Sequence, residues 1–206
     1  MGHRFAELAF TENVKKIQER DGSREGYARF EEGPANHDRL GPAEAEFLAA
    51  RDSFYMATVS ETGWPYVQHR GGPAGFIHVL DEKTIAFADF RGNRQFVSVG
   101  NLSIDNRVSL ILVDYPNRKR LKVLGRARIV DGGEDPALLS QLEAPDYRAR
   151  LERAFVITVE AFDWNCPQHI TPRFTLVEVE QMVAPLKARI AELEAALREG
   201  AESTDV

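Results

Sequence analysis

The middle of the chain alternates apolar and polar residues, and its two ends follow a helical rhythm. Leu121, Val123, Gly125, Ala127 and Ile129 interleave with Arg120, Lys122, Leu124, Arg126 and Arg128. Successive side chains of a strand point to opposite faces, so this run predicts a strand over 119–130 with one apolar and one basic face. Comparable β-rich runs predict strands at 54–60, 64–70, 76–80, 84–89 and 154–162. The stretch 107–114 is almost wholly apolar, which predicts a strand covered on both faces. Glu61-Thr62-Gly63, Asp81-Glu82-Lys83 and Tyr115-Pro116-Asn117-Arg118 supply the turns.

Toward the N-terminus, Thr11 or Asn13 starts a helix carrying Val14 and Ile17, which Asp21-Gly22 stops. A polar loop over 31–37 follows, and Pro42 opens a short helix over 43–51. Short helices are expected within 135–153. At the other end, Val183, Leu186, Ile190, Leu193 and Leu197 are spaced 3, 4, 3 and 4 apart, a heptad seam. Glu194 and Arg198 stand one helical turn apart and can pair. So short a helix is marginal alone, so the seam packs either on its own barrel or on a second copy. Six to seven antiparallel strands joined by tight turns predict a mainly β antiparallel barrel with peripheral helices and a C-terminal amphipathic helix. Alternating βα units are absent, which argues against a doubly wound sheet. The expected organisation is an N-terminal helical extension (1–53), a barrel domain (54–179) and a C-terminal helix and tail (180–206).

Composition narrows the function classes. The 206 residues are 43% hydrophobic and 28% charged, ordinary values for a globular chain. A formal charge of −6 argues against a nucleic-acid partner. Cys166 is the single cysteine, so no intramolecular disulfide exists and a reducing, cytoplasmic setting is expected. The first thirty residues are studded with charge, and no apolar run suits a signal peptide or a membrane span.

The candidate chemistry centres on Phe87 to Gly100. A strand ends there, a glycine turn follows, and a helix is expected to open on Asn93 and Arg94. Asn93 is a good N-cap type, and Arg94 offers a planar fork of donors suited to phosphate. Gln68-His69-Arg70-Gly71-Gly72 ends a neighbouring strand, with Gln68 and Arg70 on one face and His69 on the other. Arg120 starts the basic strand. Together these predict a site for a phosphorylated, partly aromatic ligand. A second block, Asp163 to Arg173, gathers Trp164, Cys166, His169 and Arg173 into one loop. Cys166 and His169 have a zinc-like spacing but lack a second pair, so no metal site is expected.

The order Ala57-Thr58-Val59…Gly63-Trp64-Pro65-Tyr66, Phe87-Ala88-Asp89…Gly92-Asn93-Arg94, Asn106 to Leu110 and Leu124-Gly125-Arg126-Ala127 resembles the pyridoxamine 5′-phosphate oxidase family. That resemblance implies a split barrel binding FMN at the interface of a homodimer. It places the strand under the flavin on Gln68 to Pro73 and the residues after the fourth strand on Ala88 and Asp89. It places the phosphate-binding triplet on Asn93, Arg94 and Gln95, and a glutamine near the flavin on Arg120. It also brings the loop of Trp164 and Arg173 close to the ring. The family's lysines fall on Pro73 and Gln95, and its C-terminal Arg-x-His signature is missing, so the resemblance is to a relative with another substrate. The implied activity is a flavin-dependent oxidoreductase acting on a small molecule, with NAD(P)H or another electron donor. The alternative is a non-catalytic flavin- or haem-binding module, with His69 or His169 as the axial candidates.

Overall fold

The structure, a computed structural model, describes residues 2–32 and 34–202. Three short helices come first: α1 (Arg4–Ala9), α2 (Glu12–Arg20) and α3 (Arg24–Ala28), then one 3-10 turn at Arg29–Glu31. Thr11 caps α2 by accepting from the Val14 amide, and the helix ends before Asp21-Gly22, as its residue pattern predicts. α4 (Pro42–Ala49) opens on its proline, and the Glu44 side chain accepts from the Gly41 amide. That contact satisfies a donor at the helix entrance.

Seven strands follow: β1 (Ser53–Val59), β2 (Pro65–Gly71), β3 (Ile77–Asp81), β4 (Thr84–Phe90), β5 (Arg107–Asp114), β6 (Lys119–Asp131) and β7 (Leu151–Asn165). They form one sheet in the order β2-β1-β5-β6-β7-β4-β3, and all six pairings are antiparallel. The sheet curls without closing, because β2 and β3 form its two edges. The mainly β fold with peripheral helices expected from the sequence is the fold observed. Gly63, with φ +85°, makes the β1–β2 turn, where its amide bonds the Ser60 carbonyl. That backbone state suits glycine.

Phe54, Met56, Phe87, Leu110, Leu121, Phe155 and Ile157 fill the inside of the curl. Phe87 and Phe155 stack at 5.1 Å, and Phe54 meets Phe87 edge-on at 5.0 Å. Fully burying such side chains contributes about 1.5–3 kcal/mol each. A smaller cluster lies outside β4 and β7, where Ala86, Ala88, Val130 and Val156 meet Leu138, Leu139 and Leu142 of α6 (Pro136–Leu142).

Two strand expectations need correction. β5 is buried on one face only: Val108, Leu110 and Leu112 point inward, while Arg107 and Ser109 are exposed and Ile111 and Val113 half-covered. Its apolar outer residues reflect β-propensity more than a second covering layer. In β6 the strict alternation fails at the far end, where Val130 is buried. The register with β7 shifts between Leu124 and Gly125, and a β-bulge adds twist there.

By contact density the chain forms two units. One runs through Asp114 and resumes from Lys119 to Pro167; the other comprises Tyr115–Arg118 and the residues from Gln168. The second contains α7 (Leu176–Glu202). Among the described residues, no helix is long and apolar enough to cross a membrane.

Candidate functional site

β2 turns Gln68 and Arg70 to the inside of the curl and leaves His69 exposed outside, where its ring meets Tyr55 at 5.4 Å. The inward pair is held from two sides. Ser98 Oγ donates to Gln68 Oε1 at 2.9 Å, and Arg70 Nη1 donates to Asp89 Oδ1 at 2.6 Å. Alternation along β4 explains why Asp89 is available: Phe87 and Asp89 share the inner face, while Ala86 and Ala88 enter the outer cluster.

Directly opposite Asp89 in the β4–β7 register stands Arg153, whose Nε lies 3.4 Å from Asp89 Oδ2. Arg153 also reaches Glu152 at 3.5 Å, and Arg91 reaches the same carboxylate at 3.7 Å. Burial pushes the Asp89 carboxyl above its ordinary value, against the pull of Arg70 and Arg153. Burial likewise lowers the Arg70 guanidinium, although Asp89 supports its charge. The pair is therefore held in a setting where desolvation is costly and partner contacts matter. The Nε groups of Arg70 and Arg153 are buried and make no hydrogen bond.

The loop before α5 (Val97–Leu102) forms the opposite wall. The helix begins at Val97 and not at Asn93, which corrects the sequence expectation. Arg94 and Phe96 both adopt positive φ, +60° and +56°, so the backbone leaves the helical path twice before Val97. Asn93 instead closes a local turn, its Oδ1 accepting from the Gln95 amide at 3.3 Å. Two cations lie over the Phe96 ring: the guanidinium of Arg153 at 5.0 Å and that of Arg94 at 5.4 Å. Buried Asn101 of α5 donates to Thr58 of β1 at 2.9 Å, which ties this wall to the sheet.

Gln68, Arg70, Asp89, Asn93, Arg94 and Gln95 thus line one cleft, together with Phe96 and Ser98, enclosing about 70 Å³. Arg70 and Arg94 line it beside two carboxylates, Asp89 and Glu152, which Arg153 and Arg91 also pair with, so four arginines stand against two carboxylates in and next to the cleft. Such a balance favours an anion. A roomier hollow of about 510 Å³ lies beside α6, lined by Leu139, Pro145 and Leu151 with Arg150 and Glu143. It shares Phe90 with the cleft but lacks the converging donors.

The remaining sequence candidates are placed elsewhere. Gly71 ends β2, where an added Cβ would approach His69 Cε1 to 3.1 Å. Ala88 offers only backbone to the inner face. Arg120 sits near the start of β6, opposite Val113 and Asn165, with its Nε buried and without a hydrogen bond. The Trp164 indole donates to Glu44 Oε1 at 2.7 Å and meets Phe47 edge-on at 4.8 Å, anchoring α4. Arg173 lies in the second unit, over the Tyr115 ring at 5.0 Å. β7 pairs with two cations of the basic β6 face: Lys122 with Asp163 at 2.9 Å and Arg126 with Glu160 at 3.0 Å. Cys166 and His169 are exposed, and among the described residues no group of three His, Cys, Asp or Glu stands ready for a metal.

Sequence reasoning missed Arg153 and Ser98. The signal for Arg153 was present: carrying the period of two back from Ile157 and Phe155 puts residue 153 on the same inner face. The polar run before it hid the true start of β7.

Several solved structures are similar to this chain at low identity. HupZ of Group A Streptococcus superposes with a TM-score of 0.47 at 17% identity, covering 66% of this chain and 100% of that one. An FMN-binding protein of Syntrophomonas wolfei gives 0.46 at 15% identity, covering 75% and 96%. A Clostridium acetobutylicum protein related to general stress protein 26, of the pyridoxinephosphate oxidase family, gives 0.43 at 18% identity, covering 65% and 92%. Among curated proteins, no sequence matches the chain. The sequence model of the pyridoxamine 5′-phosphate oxidase family matches residues 40–165, from just before α4 to the end of β7, and so takes in every strand and the whole cleft. The chain belongs to the pyridoxamine 5′-phosphate oxidase family.

Proposed function

We propose that this protein binds FMN in the Arg70–Asp89 cleft and works as a flavin-dependent oxidoreductase on a small molecule. One observation carries the reading: Arg70 and Arg94 line the cleft together with Asn93 and Gln95, and the Arg70 Nε is buried there without a hydrogen bond. Buried donors without partners cost about 1–3 kcal/mol each, so an anionic ligand has free energy to gain.

The residues present fit the cofactor in kind. Arg94 is exposed and suited to a charge-assisted bond with the phosphate, supported by Asn93 and Gln95. Gln68 and Arg70 would meet the polar ribityl chain, and Asp89 keeps Arg70 in place. Bound FMN would supply hydride and one-electron chemistry; the protein orients and tunes it.

About 70 Å³ is far less than the roughly 300–1,000 Å³ of an ordinary ligand pocket. A second copy of the chain would supply the remaining wall, which agrees with the homodimer that the family resemblance implies. NADH or NADPH is the natural donor to try first. With glutamine and proline where the oxidase has lysines, the substrate is a molecule other than pyridoxamine phosphate.

The test is spectroscopic. Purified protein incubated with FMN and freed of excess should keep flavin's near-ultraviolet and blue absorption, and anaerobic NAD(P)H should bleach it. A protein that stays colourless contradicts the reading. Binding without reduction by any donor leaves a passive flavin carrier, and a Soret band after haem addition would point to haem instead.

A further inference from the structure

We propose that α7 pairs with α7 of a second copy of this chain as a parallel, two-stranded coiled coil. The helix is 27 residues long, about 40 Å. Its apolar seam is longer than the five residues evident from the heptad count above. Leu176, Val179, Val183, Leu186, Ile190, Leu193 and Leu197 continue the 3–4 spacing over three heptads. All but half-buried Val183 are exposed, from 42% at Val179 to 83% at Leu176. Water-facing leucines in such a row favour burial against a partner.

The sequence says what kind of partner. A helix docking on a globular core carries a broad apolar stripe, whereas a coiled-coil seam is restricted to the a and d positions. Here Leu176, Val183, Ile190 and Leu197 take position a, and Val179, Leu186 and Leu193 take d. Position e is charged throughout, with Glu180, Lys187 and Glu194. In the two central heptads a is β-branched (Val183, Ile190) and d is leucine (Leu186, Leu193), the combination that favours two parallel strands.

Charge agrees with that choice. In a parallel pair each g residue faces the e residue five positions on in the other helix. Arg189 at g then meets Glu194 of the second copy, twice by symmetry, and Met182 meets Lys187, so neither contact is between like charges. Within one chain Arg189 holds Glu192, at 2.9 Å on the surface. Pro185, the one proline inside the helix, falls at c on the outer side, away from the seam.

The experiment uses the full chain with Cys166→Ser, and then a single cysteine at Val179→Cys or at Leu193→Cys. These d positions lie two heptads apart, about 21 Å along the axis. In a parallel pair each cysteine faces its own copy, so both variants should form disulfide-linked dimers under mild oxidation. A symmetric antiparallel pair has one level at which a residue meets itself, so linkage at only one position overturns the proposal. Linkage at neither also overturns it. Adding Leu186→Lys and Ile190→Lys should lower the yield at least tenfold; an unchanged yield means random collision and overturns it as well. The readout is independent of flavin, and intact barrel folding is checked by the same thermal transition in every variant.

Discussion

Arg70 of β2 and Asp89 of β4 are joined at 2.6 Å although their strands lie five places apart in the sheet order. The contact exists because the sheet curls far enough for the inner faces of β2 and β4 to meet. It marks the mouth of the curl and forms the back of the cleft. Removing Asp89 leaves Arg70 and Arg153 without their shared carboxylate. Asp89→Ala should therefore cost about 3–5 kcal/mol, read by urea unfolding. The double variant Arg70→Met/Asp89→Leu should cost less than Asp89→Ala alone, because no charge of the pair is then stranded.

Arg94 stands apart from that pair. It is exposed, and its guanidinium lies over the face of Phe96. Arg94→Ala should weaken FMN binding by about 1.5–3 kcal/mol while shifting stability by less than about 0.5 kcal/mol. Fluorescence titration with FMN and a urea melt of the same sample separate the two effects. Equal affinity for both proteins would move the phosphate elsewhere.

Gly125 sits at the register shift between β6 and β7. A Cβ there would lie 2.6 Å from the Thr158 carbonyl oxygen and 2.7 Å from Ile157 Cγ2. Backbone cannot easily yield at the centre of a sheet, so Gly125→Ala should cost about 1–3 kcal/mol. The expected signature is a lower urea midpoint with an unchanged slope.

His3 gives a pH test of the N-terminal segment. It is buried, stacked on His37 at 3.8 Å, and within 3.5 Å of Asp163. Burial first, and then His37, lowers it from its ordinary 6.5, while Asp163 pulls it the other way. A lowered histidine is neutral in the native state, whereas the unfolded chain takes up a proton. This contribution is therefore complete above pH 6.5 and is lost as the pH falls through the lower folded value. Urea midpoints measured from about pH 7 down to pH 5 should fall more steeply for the natural protein than for His3→Gln. Parallel curves would contradict this.

β6 was legible from its period-two alternation, and the other strands from β-rich or apolar runs between turn residues. In the cleft, the shared face of Gln68 and Arg70 was legible from alternation along β2, while Asp89 came only from the family resemblance. The loop was harder. Positive φ at Arg94 and Phe96 is unusual for such residues and leaves no compositional mark, so the helix start was read four residues early. α1 and α3 escaped because helices of six and five residues hold too few turns to show a periodicity. Trp164 and Arg120 show the limit of positional carry-over. The indole is engaged by Glu44 and Phe47, and Arg120 faces Val113 and Asn165 across its strand, neither of them a wall of the cleft.

The central claim is that this cleft grips the phosphate of FMN. The most direct measurement is a paired calorimetric titration of the flavin-free protein with FMN and with riboflavin, which lacks the phosphate. The account expects one FMN per chain and riboflavin weaker by about 100-fold or more, the loss of one or two charge-assisted bonds. Equal affinities, or no FMN binding, would contradict it.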